Sequence, residues 1–268
     1  MSIKSMPLWK WILLLVASIL LSLLMYTAAQ TPAFLVKGPG LWGLSLATSA
    51  AMLGLYALFV KWFEKEQAQD LPLKKGPAQA GIGFGIGVAY FIIVVATMLA
   101  LTLYRVEGVN HEVMGMIDAL FMFLVVAVGE EIVFRGVLFR WIDERFGFWW
   151  AMAVSGVVFG FAHLMNDGAS LWSSVAIALE AGLMLAAAYK WSGNLWLPIG
   201  IHWAWNFTQG NIFGFAVSGQ AAGSSLLQPA LEGPQWLTGG AFGAEASVIS
   251  AAVGITLTAW FVKEYLKR

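Results

Sequence analysis

The chain has 268 residues, of which 60% are hydrophobic and 11% are charged, and its formal net charge is zero. This apolar fraction is well above that of soluble domains, so the composition predicts a polytopic membrane protein. The balanced charge gives no electrostatic case for nucleic acid as a partner, and the absence of cysteine excludes disulfides, thiol nucleophiles and thiolate metal sites.

A membrane-spanning helix needs about 20 predominantly apolar residues, and windows of that length follow one another along the whole chain. They cover residues 9–29, 41–62, 79–103, 115–138, 148–165, 171–191, 194–210 and 246–263. Long apolar runs are typical of helices rather than of short alternating strands. The sequence therefore predicts an all-α, polytopic membrane helix bundle of about eight transmembrane helices, forming a single membrane domain over residues 1–268.

The distribution of basic residues tests this count, because Lys and Arg accumulate in cytoplasmic loops. With the N-terminus inside, all of the 15 lysines and arginines except Lys37 and Arg105 fall on or towards the cytoplasmic side. The sequence therefore predicts a multi-pass protein of the cell membrane with both termini in the cytoplasm. The first apolar run resembles a cleaved signal peptide, but its length favours a retained helix.

The fourth window contains charged residues in the stretch VAVGEEIVFRGVLFRW. Burying an ionised side chain at bilayer depth costs roughly 2.5–3.5 kcal/mol on insertion scales. Residues four apart share a helix face, so Glu131 and Arg135 are predicted to form an ion pair. Glu130, about 100° away around the helix, is left to face another partner. Alternatively, the cluster anchors the helix end near the cytoplasmic surface, with the arginine snorkelling.

Two later windows add further polar groups to the apolar helices. The fifth contains His163, and the seventh contains His202 followed one turn later by Asn206. A single histidine in such a helix is more often a packing residue, but two histidines, an extra glutamate and an asparagine need one another as partners. We therefore expect an intramembrane polar cavity that brings Glu130, His163, His202 and Asn206 together.

These residue types favour hydrolysis. A carboxylate in a poorly solvated site can take a proton from water and return it to a leaving amine, and an asparagine amide can donate to the developing oxyanion. The imidazoles can hold the water or bind a metal, and Glu130, His163 and His202 match the ligand set of catalytic zinc although the compact H-E-x-x-H spacing is absent. With no thiolate and an asparagine as the fourth polar group, a metal-free site without cofactor is favoured over zinc.

Three motifs stand in order within a core of about residues 115–210. They are E-E-x-x-x-R at 130–135, F-x-x-x-H at 159–163 and H-x-x-x-N at 202–206. This arrangement resembles the CPBP intramembrane proteases, which include the eukaryotic CAAX prenyl endopeptidases and bacterial Abi-type proteins. The resemblance implies an endopeptidase in which Glu130 is the general base, His163 and His202 bind the attacking water or a metal, and Asn206 assists at the oxyanion.

The resemblance further implies that Arg135 pairs with Glu131 and that Phe159 packs the site. It also implies a peptide or membrane protein as the substrate, with membrane lipid around the protein. Glu180, in the middle of the sixth window, is predicted either to line the same cavity or to be protonated. Four glycines, at 156, 160, 182 and 193, are predicted to permit close helix packing or turns.

Two other functions remain open. A proton-coupled transporter could use Glu130, Glu180 and the histidines as a relay, although the polar residues cluster in windows four to seven rather than in corresponding halves of the chain. An inactive relative could serve as an immunity or scaffold protein. The endopeptidase acting on a membrane-associated protein or peptide is the leading prediction.

Overall fold

The computed structural model describes residues 6–30, 36–221 and 223–268, and it is a helix bundle. The predicted all-α membrane architecture is confirmed, with two short strands in the connections between helices. The helices are α1 (Leu8–Gln30), α2 (Pro39–Phe59), α3 (Gly76–Ala100), α4 (Val113–Glu131), α5 (Arg140–Phe146), α6 (Phe148–Ala162), α7 (Leu171–Ile177), α8 (Leu183–Ser192), α9 (Trp196–Phe207), α10 (Gln235–Thr238) and α11 (Val248–Leu266). The strands are β1 (Tyr104–Val109) and β2 (Leu227–Leu231).

Several helices continue through π-helical segments, in which the backbone hydrogen bond spans one residue more than in an α-helix. One such segment, Ile132–Phe139, joins α4 to α5, and another, Ala178–Gly182, joins α7 to α8. Val60–Glu64 extends α2, and Thr208–Ile212 extends α9. Three of the four therefore lie on the helices that carry the predicted motif core.

Within the described residues, five helical segments are long and apolar enough to cross a membrane. They are Leu8–Ala28, Pro39–Glu64, Gly76–Ala100, Phe148–Met165 and Leu171–Ser192. The other three predicted windows are also helical, since they coincide with α4 and its extension, with α9 and with α11. The helical positions thus follow the predicted windows, while the number of helices that cross the bilayer stays a prediction.

Helices α3 and α9 are in backbone contact because glycines face each other across the interface. A Cβ atom on Gly83 would overlap the carbonyl oxygen of Leu197, and one on Gly200 would overlap that of Ala80. Small residues of this kind allow membrane helices to approach closely. The contact fixes the position of α9, which carries two of the predicted catalytic residues.

We expect Gly200→Ala to destabilise the protein by about 1–3 kcal/mol, because the added methyl group forces α3 and α9 apart. The matched control is Gly85→Ala on α3, where a Cβ atom would meet nothing within 4 Å. Thermal unfolding of both variants in detergent measures the difference. Equal midpoints for the two variants would contradict the proposed tight interface.

Helix α6 packs against the π-helical segment Ala178–Gly182 through the predicted glycines. A Cβ atom on Gly160 would overlap the carbonyl oxygen of Ser174, and one on Gly182 would lie 2.7 Å from the carbonyl oxygen of Gly156. Gly193 ends α8 with a φ of 68°, a left-handed conformation that glycine adopts readily. The close packing and the turn predicted for these glycines are confirmed.

The long connection from α9 to α11 is more ordered than its composition indicates. Strand β2 pairs antiparallel with β1, and short 3₁₀ turns cover Gly240–Phe242 and Ala244–Ala246. Side chains tie this connection to the helices: Trp172 Nε1 donates to the carbonyl of Ala246 at 2.8 Å, and Asn166 Nδ2 to that of Ser218 at 2.9 Å. The connection is therefore held over one end of the motif core.

Candidate active site

A small cavity lies between α6, the α7–α8 helix, α9 and the connection that precedes α11. Its polar lining comes from His163, His202, Asn206, Ser218 and Glu245. About 20 Å³ is open to the centre of a water molecule, which is enough for one water. The fold thus brings three of the four predicted catalytic residues to one cavity, and the fourth, Glu130, approaches it beside His202.

Glu131 and Arg135 form the expected ion pair inside the protein. Arg135 Nη1 lies 3.1 Å from Glu131 Oε1, and both side chains have 0% exposure, so the arginine does not snorkel. Its Nη2 donates to the carbonyls of Ala181 and Gly182 at 3.3 and 3.1 Å. The π-helical segment makes these carbonyls available to a side chain. The guanidinium also lies 4.6 Å from the centre of the Phe159 ring.

Glu131 has a second partner that the spacing of the motifs did not predict. Its Oε1 lies 2.9 Å from His202 Nδ1. An ionised carboxylate only accepts hydrogen bonds, so Nδ1 carries the hydrogen and the neutral ring presents the lone pair of Nε2. Glu131 therefore connects the first motif to the third and sets the orientation of the His202 imidazole.

Glu130 is held more loosely than its neighbour. Its side chain is 19% exposed, its Oε1 lies 3.4 Å from the Tyr26 hydroxyl, and its Oε2 has no hydrogen-bond partner in the described part of the chain. That oxygen is 3.8 Å from His202 Nε2, too far for a direct hydrogen bond. The separation of the two atoms is one that a single bridging water can span. The Tyr26 contact was not predicted, because α1 contains none of the motifs.

His163 and Asn206 complete the polar wall. His163 Nδ1 lies 2.8 Å from the carbonyl oxygen of Phe159, which can only accept, so Nδ1 carries a hydrogen. The Phe159 ring packs between the two imidazoles, with centroids 5.0 Å from His163 and 6.0 Å from His202. The Asn206 amide makes no hydrogen bond within residues 6–30, 36–221 and 223–268. It is therefore available to a molecule in the cavity.

Glu180 lies apart from this cavity. It is fully buried, but its Oε2 faces the Tyr90 hydroxyl of α3 at 3.1 Å, and that hydroxyl is 2.5 Å from the carbonyl of Ser250 on α11. Glu180 is not among the residues that line the cavity. The prediction that Glu180 lines the catalytic cavity is therefore wrong. The proton relay from Glu180 to Glu130, which the transporter alternative requires, gains no support from this arrangement.

The structure instead places Glu245 in the cavity, a residue that sequence reasoning missed. Its Oε2 accepts from Trp205 Nε1 at 3.3 Å, and its Oε1 accepts from the backbone N–H of Ser218. Burial raises the pKa of Glu245 above its ordinary value, and His163 and these hydrogen bonds offset only part of that rise. The sequence feature that could have identified Glu245 is the position of an acidic residue directly before an apolar window, at the end of a segment whose composition is typical of a loop.

The arrangement does not fit a three-ligand zinc site. Within the described ranges, no three His, Asp or Glu side chains are grouped so that they could hold a metal ion. His163 Nδ1 donates to a backbone carbonyl and His202 Nδ1 to Glu131, which leaves Nε2 of each ring to bind a water molecule or to act as a metal ligand. Because no third ligand is grouped with them in the described ranges, no catalytic step through a metal is derived.

Comparison with known proteins is consistent with this site. Residues 112–208 match the family model described as Type II CAAX prenyl endopeptidase Rce1-like, a range that contains all three motifs. The "Uncharacterized protein YpbD" of Bacillus subtilis (strain 168) is 28% identical over 129 residues, which cover 45% of this chain and 62% of YpbD, less than two thirds of that protein. The "Putative membrane peptidase YdiL" of the same organism is 27% identical over 183 residues, or 63% of this chain and 69% of YdiL. No solved structure gives a significant match.

Proposed function

Because the chain belongs to the CPBP family of membrane proteases, we propose that it is an intramembrane endopeptidase. It cleaves a peptide bond in a membrane-associated protein or peptide with a water molecule activated by Glu130. One observation carries this proposal: Glu130 Oε2, which has no hydrogen-bond partner in the part of the chain that the structure describes, lies 3.8 Å from His202 Nε2, while Glu131 fixes the other nitrogen of the same ring.

In this mechanism the water sits between Glu130 Oε2 and His202 Nε2. Glu130 takes one proton as the water oxygen attacks the scissile carbonyl carbon. The carbonyl oxygen becomes negatively charged, and the Asn206 amide, which has no hydrogen-bond partner among the described residues, donates to it. When the C–N bond breaks, its electron pair goes to the amine nitrogen, which takes up one proton from the site, and the proton that Glu130 took from the water replaces it.

The matching family is described as a type II CAAX prenyl endopeptidase. For this chain we propose the broader class of membrane-associated proteins and peptides. The motifs lie within a bundle whose helices expose large apolar side chains, such as Leu13, Leu24 and Trp62. The protein is therefore surrounded by lipid, and a substrate that partitions into the membrane is concentrated at its surface.

The experiment that tests the function uses the purified full chain in vesicles. A library of peptides containing apolar membrane segments is added, and new termini are identified by mass spectrometry. If the chain is an endopeptidase, the peptides are cleaved at a reproducible subset of their peptide bonds. Proton-driven solute uptake by the same vesicles without any cleavage would favour the transporter. The absence of both uptake and cleavage would favour the inactive relative.

We expect Asn206→Ala to lower kcat by about 10²–10³-fold while KM stays near its wild-type value, because the amide acts on charge that develops only in the transition state. Asn194→Ala is a suitable control. Asn194 is also buried, but its amide is bonded to the backbone of Ser192 at the end of α8. A change in KM alone for Asn206→Ala would contradict the oxyanion role.

We also propose that both termini lie in the cytoplasm, on the basis of the distribution of lysine and arginine. A reporter that is active only in the cytoplasm is expected to give signal when it is fused after Arg268. A signal only from a reporter active on the opposite side would contradict the eight-helix topology.

A further inference from the structure

Glu245 is a buried carboxylate that the mechanism above does not use. Each of its oxygens accepts from an N–H group, Oε1 from the Ser218 backbone and Oε2 from the Trp205 indole. Burial raises the pKa of this carboxyl group above its ordinary value, whereas N–H donors to both oxygens favour its ionised form. Glu245 lines the same cavity as His163, and the two side chains interact electrostatically. In its ionised form Glu245 places a negative charge in the cavity wall that also holds this imidazole.

The position of Glu245 is fixed by the segments that surround it. A Cβ atom on Gly219 would overlap the backbone of Asp167, and one on Gly243 would overlap the carbonyl oxygen of Ala216. Both glycines have positive φ, 83° and 121°, so the contacts require glycine. Residues 163–170, 213–220 and 239–246, which we call the loop cap, are therefore packed backbone to backbone, and they hold Glu245 against the cavity.

The hydrogen bonds of His163 determine what this charge can do. Nδ1 donates to the carbonyl of Phe159, so a second hydrogen, on Nε2, makes the ring a cation. The carboxylate of Glu245 stabilises that cation. Nε2–H then is a proton donor in the cavity. Glu130 is not among the lining residues and reaches the cavity beside His202 instead. The proton acceptor and the proton donor thus belong to different walls of the site.

We propose that Glu245 is a positioning residue, and that it holds His163 as the donor of the proton to the leaving amine. This inference rests on the proposed endopeptidase function. Water adds to the carbonyl carbon and gives one proton to Glu130. The C–N bond of the tetrahedral intermediate then breaks, its electron pair goes to nitrogen, and nitrogen takes the proton from His163 Nε2. The carboxylic acid and the amine leave, and the proton on Glu130 returns through water to His163.

The test compares two bonds that differ in their need for a proton donor. A peptide bond requires protonation of the amine as it leaves, whereas a p-nitrophenyl ester releases a stable phenolate without it. Each protein preparation is assayed in vesicles on a cleaved peptide and on the matching ester. The ratio of the two rates does not depend on the amount of folded protein. Glu245→Gln is expected to lower peptide cleavage by about 10-fold or more while ester cleavage changes less than about 2-fold.

Asp118→Asn is the matched control, because Asp118 also accepts from a backbone N–H, that of Gly38, and from an indole, that of Trp42. Its rate ratio is expected to equal that of the wild type. Glu245→Asp restores the charge, and we expect it to recover part of the lost peptide cleavage. Equal losses on peptide and ester, or no loss on the peptide, would overturn the role of Glu245. A wild-type protein that cleaves neither substrate would instead contradict the endopeptidase function itself.

Discussion

Replacing Glu131 with glutamine is expected to lower the free energy of unfolding by about 3–5 kcal/mol, because it leaves a buried charge without its partner. Arg135 has 0% side-chain exposure, and Glu131 is its only ion-pair partner within the described residues. The two backbone carbonyls that also accept from Arg135 carry only partial charge. The same variant loses the anionic acceptor of His202 Nδ1, so we also expect lower activity from the protein that remains folded.

Chemical unfolding in mixed micelles measures the loss of stability. Glu232→Gln is the matched control, because Glu232 pairs with Arg105 at 2.6 Å but both side chains are more than half exposed. Exposed pairs contribute about 0–1 kcal/mol, so the control is expected to unfold close to the wild type. If Glu131→Gln were as stable as Glu232→Gln, the buried ion pair would not have the structural role assigned to it.

Replacing Glu130 with glutamine is expected to lower kcat by about 10²–10⁴-fold, the range for loss of a general base. The fold should remain, since the side chain is 19% exposed and its one described hydrogen bond, from Tyr26, is long at 3.4 Å. The assay is cleavage of a peptide found in the library, together with the thermal unfolding midpoint. A variant that is inactive and also unfolds early would assign Glu130 a structural role instead.

Substitutions of the adjacent glutamates therefore differ in their expected effects. The difference in role between Glu130 and Glu131 could be predicted from helix geometry alone. A residue four positions before an arginine lies on its face, whereas its neighbour points elsewhere. The positions of the helices were also predictable, because a bilayer demands long apolar runs and each predicted window coincides with a helix. The motif residues His163, His202 and Asn206 could be placed in one cavity because polar groups in lipid need partners.

The remaining features depend on contacts between distant parts of the chain. The bond from His202 to Glu131 joins residues 71 apart, and that from Trp205 to Glu245 joins residues 40 apart, so no local spacing indicates them. π-Helical segments are rare and often lie at functional sites, and Arg135 donates to the carbonyls of one of them, at Ala181 and Gly182. Hydrophobic periodicity averages over several turns and does not reveal such single-turn irregularities. The orientation of Glu180 towards α3 and α11 likewise depends on how the helices pack together.

In the proposed reaction a water activated by Glu130 attacks the peptide bond directly, without a covalent intermediate on the protein. Isotope incorporation during a single turnover tests it, with excess wild-type protein, a peptide that the library assay shows to be cleaved, and ¹⁸O-labelled water. The mass of the intact protein is followed in the same reaction. Direct attack by water is expected to place one ¹⁸O atom in each new carboxyl end, with no change in protein mass at any time. A peptidyl adduct on the protein, formed and consumed at the rate of cleavage, would contradict it.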